Sequence, residues 1–213
     1  MFLTPILKIS PVMTIRNITN NQFGNNTTIY QGDIHNYVSH QIIDQCLADL
    51  RLTDPRDDKA RIEQIKGGLL RDSYCWILEH TDFRTWLEDP QYWLLWIKGD
   101  PGKGKTMLLC GIIDEMKKLA RYRLSYFFCQ ATEPRLRKAT AVLRGLIFSL
   151  IVQQPSLISH VRERYNHAGK QLFEDENAWI ALSKILIAIL KDPELGDIIC
   201  VIDALNECTE ELP

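Results

Sequence analysis

Eight residues near the middle of the chain, Gly99-Asp100-Pro101-Gly102-Lys103-Gly104-Lys105-Thr106, follow the pattern GxxxxGK[ST] between an apolar run and a helical one. No other stretch constrains the backbone as much. A strand must enter the loop and a helix must leave it, so the chain is committed to an α/β arrangement. Tyr92-Trp93-Leu94-Leu95-Trp96-Ile97 reads as a strand buried on both faces, and Met107 to Leu119 as the helix. Glycines at 99, 102 and 104 let the loop's N–H groups point inward and leave no Cβ in the way of a phosphate. Lys105 then reaches β- and γ-phosphates as a point charge, and Thr106 offers a hydroxyl to Mg²⁺. The helix start adds its partial positive charge. Such a site takes the phosphates of ATP or GTP. The competing reading is a Gly/Lys-rich surface turn that matches by chance, and the strand and helix on either side argue against it.

A site of this kind needs an acid to hold the metal's water shell, and the C-terminal end of a neighbouring buried strand is its natural source. Ile198-Ile199-Cys200-Val201-Ile202 is followed by Asp203. Asp203 is therefore the metal-side candidate, acting through water, and Glu207 is the candidate for orienting or deprotonating an attacking water. The plainer reading makes Asp203 the cap of a helix starting at Ala204 and Glu207 an exposed acid in its first turn.

Three regions differ in composition. Residues 1–39 include TIRNITNNQFGNNTTIYQGDIHNYV at 14–38, rich in Asn, Gln and Thr and nearly free of charge; this segment is expected to be flexible. Residues 40–90 have helical spacing broken at Thr53-Asp54-Pro55, as expected of two helices forming a lead-in. Residues 91–213 alternate strands and helices. Leu124 to Cys129 and Ile198 to Ile202 read as buried strands, and Ala139 to Val152, Ser156 to Tyr165 and Asn177 to Leu190 as helices. Alternation of this kind predicts a parallel sheet, here a partial one of three strands.

Composition excludes other classes. A net charge of −2 gives no basis for nucleic-acid binding, so phosphate recognition must be local. The six cysteines, at 46, 75, 110, 129, 200 and 208, form no CxxC pair and are expected to be reduced and buried. Pro5, Lys8 and Pro11 interrupt the apolar start, no signal peptide is expected, and no run is long enough to span a membrane. A cytoplasmic protein follows, with the sequons at Asn17, Asn25 and Asn26 unmodified. His35 has no ligand partner at metal spacing. Trp76, Trp86, Trp93 and Trp96 are read as packing residues, although an aromatic of the lead-in can touch a nucleotide base. Arg135, Arg137 and Lys138 are read as a solvated helix start.

WIKGDPGKGKT at 96–106, LSYFFCQAT at 124–132 and IICVIDALNEC at 198–208 together resemble the NACHT class of signal-transduction (STAND) NTPases, in the form found in fungal NLR-like and heterokaryon-incompatibility receptors. The lead-in LADLRLTDPRDDKARIEQIKGGLLRDSYCWIL resembles the segment preceding the loop in those proteins, so the resemblance covers about Cys46 to Cys208. It implies a P-loop NTPase fold and an ATP- or GTP-dependent switch that oligomerises when activated and brings N-terminal signalling segments together. The family's second motif usually reads Asp-(Gly/Ala)-Leu-Asp-Glu, whereas this chain has Asp203-Ala204-Leu205-Asn206-Glu207. The amide at Asn206 cannot accept a proton as a carboxylate does, which favours binding over efficient hydrolysis. Gln22 to Asp33 is similar to the amyloid signalling motifs that precede NACHT domains and template a cell-death effector, and its Asn/Gln content suits stacked cross-β assembly. A disordered polar tail has the same composition. Two other functions compete: a truncated, non-enzymatic adaptor or amyloid seed, and a conventional P-loop kinase or hydrolase, for which no acceptor-substrate region is evident.

Overall fold

The computed structural model describes residues 2–10 and 45–208. Its first stretch is a strand, β1 (Phe2–Ile9), in place of the flexible start expected for residues 1–39. The amyloid-motif-like segment at 14–38 lies outside the described residues. Residues 45–50 are helical (α1), and the carbonyls of Asp49 and Leu50 at its end accept from the buried guanidinium of Arg144 at 2.6 and 3.0 Å.

The Asp-Pro break starts α2 (Pro55–Ile65). Asp54 accepts the Arg56 N–H at 3.0 Å, and Pro55 sits in the first turn, where a missing N–H costs nothing. Lys59, buried on this helix, bonds Glu63 at 2.5 Å and Asp114 at 2.8 Å, tying the lead-in to the loop's helix. Gly67 and Gly68 then reverse the chain at φ of 82° and 95°, a region open to glycine without strain. Two short helices follow, α3 (Cys75–Glu79) and α4 (Thr81–Glu88). The expected pair of lead-in helices is thus divided further, because the glycines interrupt its periodicity.

The remaining elements are β2 (Leu94–Gly99), α5 (Lys105–Lys118), β3 (Tyr122–Phe128), α6 (Ala139–Gln153), α7 (Ser159–Ala168), α8 (Ala178–Leu190) and β4 (Asp197–Asp203). Each expected strand and helix of this half is present, shifted by a few residues at its ends. The sheet is mixed, not parallel: its order is β2-β1-β4-β3, with β3 and β4 parallel and β1 antiparallel to both of its neighbours. Pro5 concealed that strand from periodicity. The ladder from β1 to β4 runs only from Ile6 to Ile9, stopping where Pro5 has no N–H to give. Lys8 compensates at the other end of β1, donating to the carbonyls of Trp86 and Asp89 at 2.7 and 2.9 Å and closing the C-terminus of α4.

Alternation along the strands separates the layers. Ile198 and Cys200 join the cluster formed with α1, α6, α7 and α8, while Ile199 and Val201 join the cluster formed with α3, α4 and α5. Strand β2 lies at the edge of the sheet and is not buried on both faces: Trp93 and Trp96 are 59% and 41% exposed. Trp76 is also exposed, so of the four tryptophans read as packing residues only Trp86 is buried. Gly111, inside α5, is explained by contact, since a Cβ there would sit 2.2 Å from the Tyr74 ring. No described helix is long and apolar enough to cross a membrane.

Two stability tests follow. Gly111→Ala should cost about 1–3 kcal/mol in chemical denaturation by forcing the lead-in away from α5. The Arg56 guanidinium, bonded to Asp54 at 2.9 and 2.6 Å, holds that carboxyl below its ordinary value of 3.8. A depressed carboxyl stabilises the fold above its unfolded pKa and loses that contribution as pH falls through the folded one. Asp54→Ala should therefore cost about 1 kcal/mol at pH 7, with the gap from wild type narrowing as pH drops below about 3.8.

Candidate functional site

The loop of residues 99–106 joins β2 to α5, as its sequence requires. Gly102 and Gly104 adopt φ of 75° and 77°, and Gly104 leads directly into the helix at Lys105. A Cβ at either position would meet nothing within 4 Å, and one at Gly99 would meet the Lys105 side chain at an ordinary 3.6 Å. Within the protein itself the glycine requirement of the loop is therefore the positive φ at 102 and 104. The Lys105 ammonium lies back along its own loop, donating to the carbonyls of Gly99 and Asp100 at 2.8 and 2.7 Å. Lys117 and Lys118 at the far end of α5 and the absence of acids from its first turn leave the helix dipole favourable to an anion at residue 105.

Asp203 stands at the end of β4, 4% exposed. Its carboxylate accepts the hydroxyl of Thr4 at 3.3 Å, and the Thr106 hydroxyl and the Ala204 N–H lie near enough to favour its charged form. Burial pushes this carboxyl above its ordinary value, and these hydrogen bonds oppose the rise only in part. It caps no helix: the turn that follows is a three-residue 3₁₀ segment, Leu205–Glu207, with no side-chain cap. Ala204 turns the chain at φ 51°, the one positive φ among the described non-glycine residues, which suits the small side chain found after the acid. Glu207 accepts the Ala131 N–H at 3.0 Å, so it anchors the end of β3 while facing the site. Asn206 is exposed.

These groups converge on a cavity of about 350 Å³ lined by Pro101, Gly102, Gly104, Lys105, Thr106, Met107, Asp203, Ala204 and Glu207, with Lys66 from the lead-in. A second cavity of about 350 Å³ shares Lys66, Gly104 and Met107 with it and adds Leu70, Trp76, Lys103 and Leu108. The sequence reading missed Lys66, although a lysine before two glycines at a helix end was a visible signal, and missed Thr4, for which there was none. Asp100 takes part through its carbonyl. A larger cleft, about 440 Å³, lies at the start of α6 and mixes Arg135, Lys138 and Arg144 with Glu174, Asp175 and Glu176. Arg135, ion-paired with Glu133 at 3.0 Å, belongs to that cleft and not to the glycine-rich loop. Cys129 and Cys208, 79 residues apart in sequence, bring their Sγ atoms to 2.9 Å beside Glu207. Among the described residues no group of His, Cys, Asp and Glu forms a metal cluster.

The donor set fits a nucleotide phosphate with its divalent cation: a loop at positive φ, a lysine, a threonine hydroxyl at a helix start and a buried carboxylate touching that hydroxyl. Comparison with known proteins agrees with the motifs. No solved structure matches the chain. It is 61% identical over 171 residues to the vegetative incompatibility protein HET-E-1 of Podospora anserina, which is 80% of this chain and 13% of the length of that relative. The model of the family described as "Nephrocystin 3, N-terminal" matches residues 72–212, about two thirds of the chain and the whole of the site apart from Lys66, Leu70 and Thr4. The chain therefore belongs to the nephrocystin 3 N-terminal family, in its fungal NLR-like group.

Proposed function

We propose that this chain is the nucleotide-binding switch module of a fungal NLR-like receptor, taking ATP or GTP with Mg²⁺ and serving programmed cell death, heterokaryon incompatibility or innate immunity in the cytoplasm. The observation that carries the reading is the meeting of Lys105, Thr106 and the buried Asp203 in one cavity at the mouth of the glycine-rich loop. A P-loop NTPase places its metal-side hydroxyl and acid in this relation. In the reading proposed, amides of residues 99–106 cradle the phosphates and Lys105 leaves its loop carbonyls for the β- and γ-oxygens. Bound Mg²⁺ would supply neutralisation of the phosphate charge. Thr106 would hold it directly and Asp203 through water. Trp76, Leu70 and Met107 line the adjoining cavity at a size and polarity that suit the base.

Binding rather than efficient turnover is the proposed role. Glu207 is the group proposed to orient a water, but its carboxylate already accepts the Ala131 N–H, and the neighbouring Asn206 is a neutral, exposed amide. Activation would assemble copies of the module and bring residues 14–38 together, with a cell-death effector carrying a matching segment as partner.

Wild-type protein should gain about 2.7 kcal/mol of stability at a hundredfold excess of nucleotide over Kd, read as a rise in Tm. Lys105→Ala should abolish that gain, and a wild type unmoved by both ATP and GTP with Mg²⁺ would reject the switch. Asp203→Asn should separate stability from binding. A carboxyl held above its ordinary 3.8 by burial favours folding while protonated and loses that contribution as pH rises through its folded pKa. The empty Asn variant should thus be more stable than wild type at pH 7, by on the order of 1 kcal/mol, with the advantage shrinking toward pH 4, while its Mg²⁺-dependent nucleotide gain is lost.

A further inference from the structure

We infer that Cys129 and Cys208 are a redox pair that forms a reversible disulfide, tying the turn after β4 to the end of β3. Both are free thiols, and their Sγ atoms meet at 2.9 Å although 79 residues separate them in sequence. The backbone sets each of them in place. Strands β3 and β4 run parallel with Phe128 level with Asp203, and the N–H of Cys129 donates to the Asp203 carbonyl at 3.2 Å. Cys208 returns to the same spot because Ala204 turns the chain at φ 51° and the 3₁₀ segment Leu205–Glu207 folds it back. The Glu207 carboxylate, accepting the Ala131 N–H at 3.0 Å, holds that return against β3. The two sulfurs lie about 0.9 Å outside an S–S bond length, a gap that small rotations of the two side chains close.

Exposure assigns the two thiols different tasks. Cys46, Cys110 and Cys200 are buried inside the clusters on either side of the sheet, out of reach of a dissolved oxidant. Cys208 is half-buried and Cys129 only 4% exposed, so an oxidant reaches Cys208 first and Cys129 stands behind it as the resolving thiol. The S–H of Cys129 hydrogen-bonds the Cys208 sulfur and holds that thiol below its ordinary value of 9.0, against burial and the Glu207 charge. With a hydroperoxide as oxidant, the Cys208 thiolate attacks one peroxide oxygen. The O–O bond breaks, the leaving oxygen departs as water or alcohol after taking a proton, and Cys208 becomes a sulfenic acid. The Cys129 sulfur then attacks the Cys208 sulfur; the S–S bond forms, the S–O bond breaks, and the hydroxide leaves with the Cys129 proton as water. Two electrons pass from the sulfurs to the peroxide, and two molecules of a small thiol return them by exchange. Where cellular thiols keep such pairs reduced, the bridge forms only under oxidant and so reports it. Its structural effect is a clamp: residues 204–208, which include Glu207 in the wall of the glycine-rich-loop cavity, become covalently fixed to β3.

The reduced protein is treated with hydrogen peroxide, unfolded with its remaining thiols alkylated, and digested without reductant for mass spectrometry. The expected product is a peptide pair joining Cys129 to Cys208, lighter by two hydrogens and lost again after dithiothreitol, with Cys46, Cys110 and Cys200 alkylated. Cys208→Ser should abolish the pair. Cys129→Ser should stop Cys208 at the sulfenic acid, which dimedone captures; if that buried substitution prevents folding, the wild-type peptide map decides alone. A wild type in which Cys208 proceeds to sulfinic acid unbridged, stays unmodified, or pairs with a different cysteine overturns the inference. Hydrogen exchange on the wild-type protein tests the clamp. The amides of Ala131, Glu207 and Cys208 should slow about tenfold on oxidation and recover on reduction, and a bridge that leaves them unchanged overturns the clamp. Every measurement is made without nucleotide, so failure here leaves the switch reading standing, and failure of that reading leaves the cysteine pair standing.

Discussion

The buried carboxylate of Asp203 is the point on which the site and the sheet both depend. A charge this far from water is tolerable only if donors surround it, and the donors come from three places: Thr4 on β1, Thr106 at the start of α5 and the backbone of Ala204. Satisfying one side chain therefore fixes the position of an N-terminal strand, the glycine-rich loop and the turn after β4. Burial still leaves the carboxyl above its ordinary value, so the donor set is incomplete for a full negative charge.

The supports around that carboxylate share a design. Polar side chains from one layer close the helix ends of another: Lys8 on the carbonyls at the end of α4, and Arg144 on those at the end of α1. Lys59 links α2 to α5 through Asp114, and the Tyr74 ring lies flat on Gly111 of the same helix. The lead-in is thus bolted to the helix that follows the phosphate loop. This places Lys66 and Trp76 along the two adjoining cavities.

Different parts of the molecule were legible in the sequence to different degrees, for identifiable reasons. The loop, its strand and its helix follow from local chemistry, because positive φ at Gly102 and Gly104 and the run of apolar residues before them leave few alternatives. Asp203 was legible because it ends a run with no polar residue. The tryptophans misled because size and apolarity favour burial only where a layer exists to receive them, and among the described residues none covers Trp93 and Trp96 at the edge strand β2. Strand β1 was hidden because Pro5 and Lys8 break the alternation by which a strand is recognised, and both have reasons visible only in three dimensions.

By itself the sequence determined the α/β class, the conformation of residues 99–106 and the candidates Lys105, Thr106, Asp203 and Glu207, since each depends on residues adjacent in the chain. Tertiary structure alone decided that the sheet is mixed, that Thr4 and Lys66 reach the site, that Glu207 is tied to Ala131 and that Cys129 meets Cys208. Those facts concern pairs separated by tens to nearly two hundred residues, and no local preference encodes which distant strand fills a gap. That choice is made by the burial of the whole sheet between its helix layers.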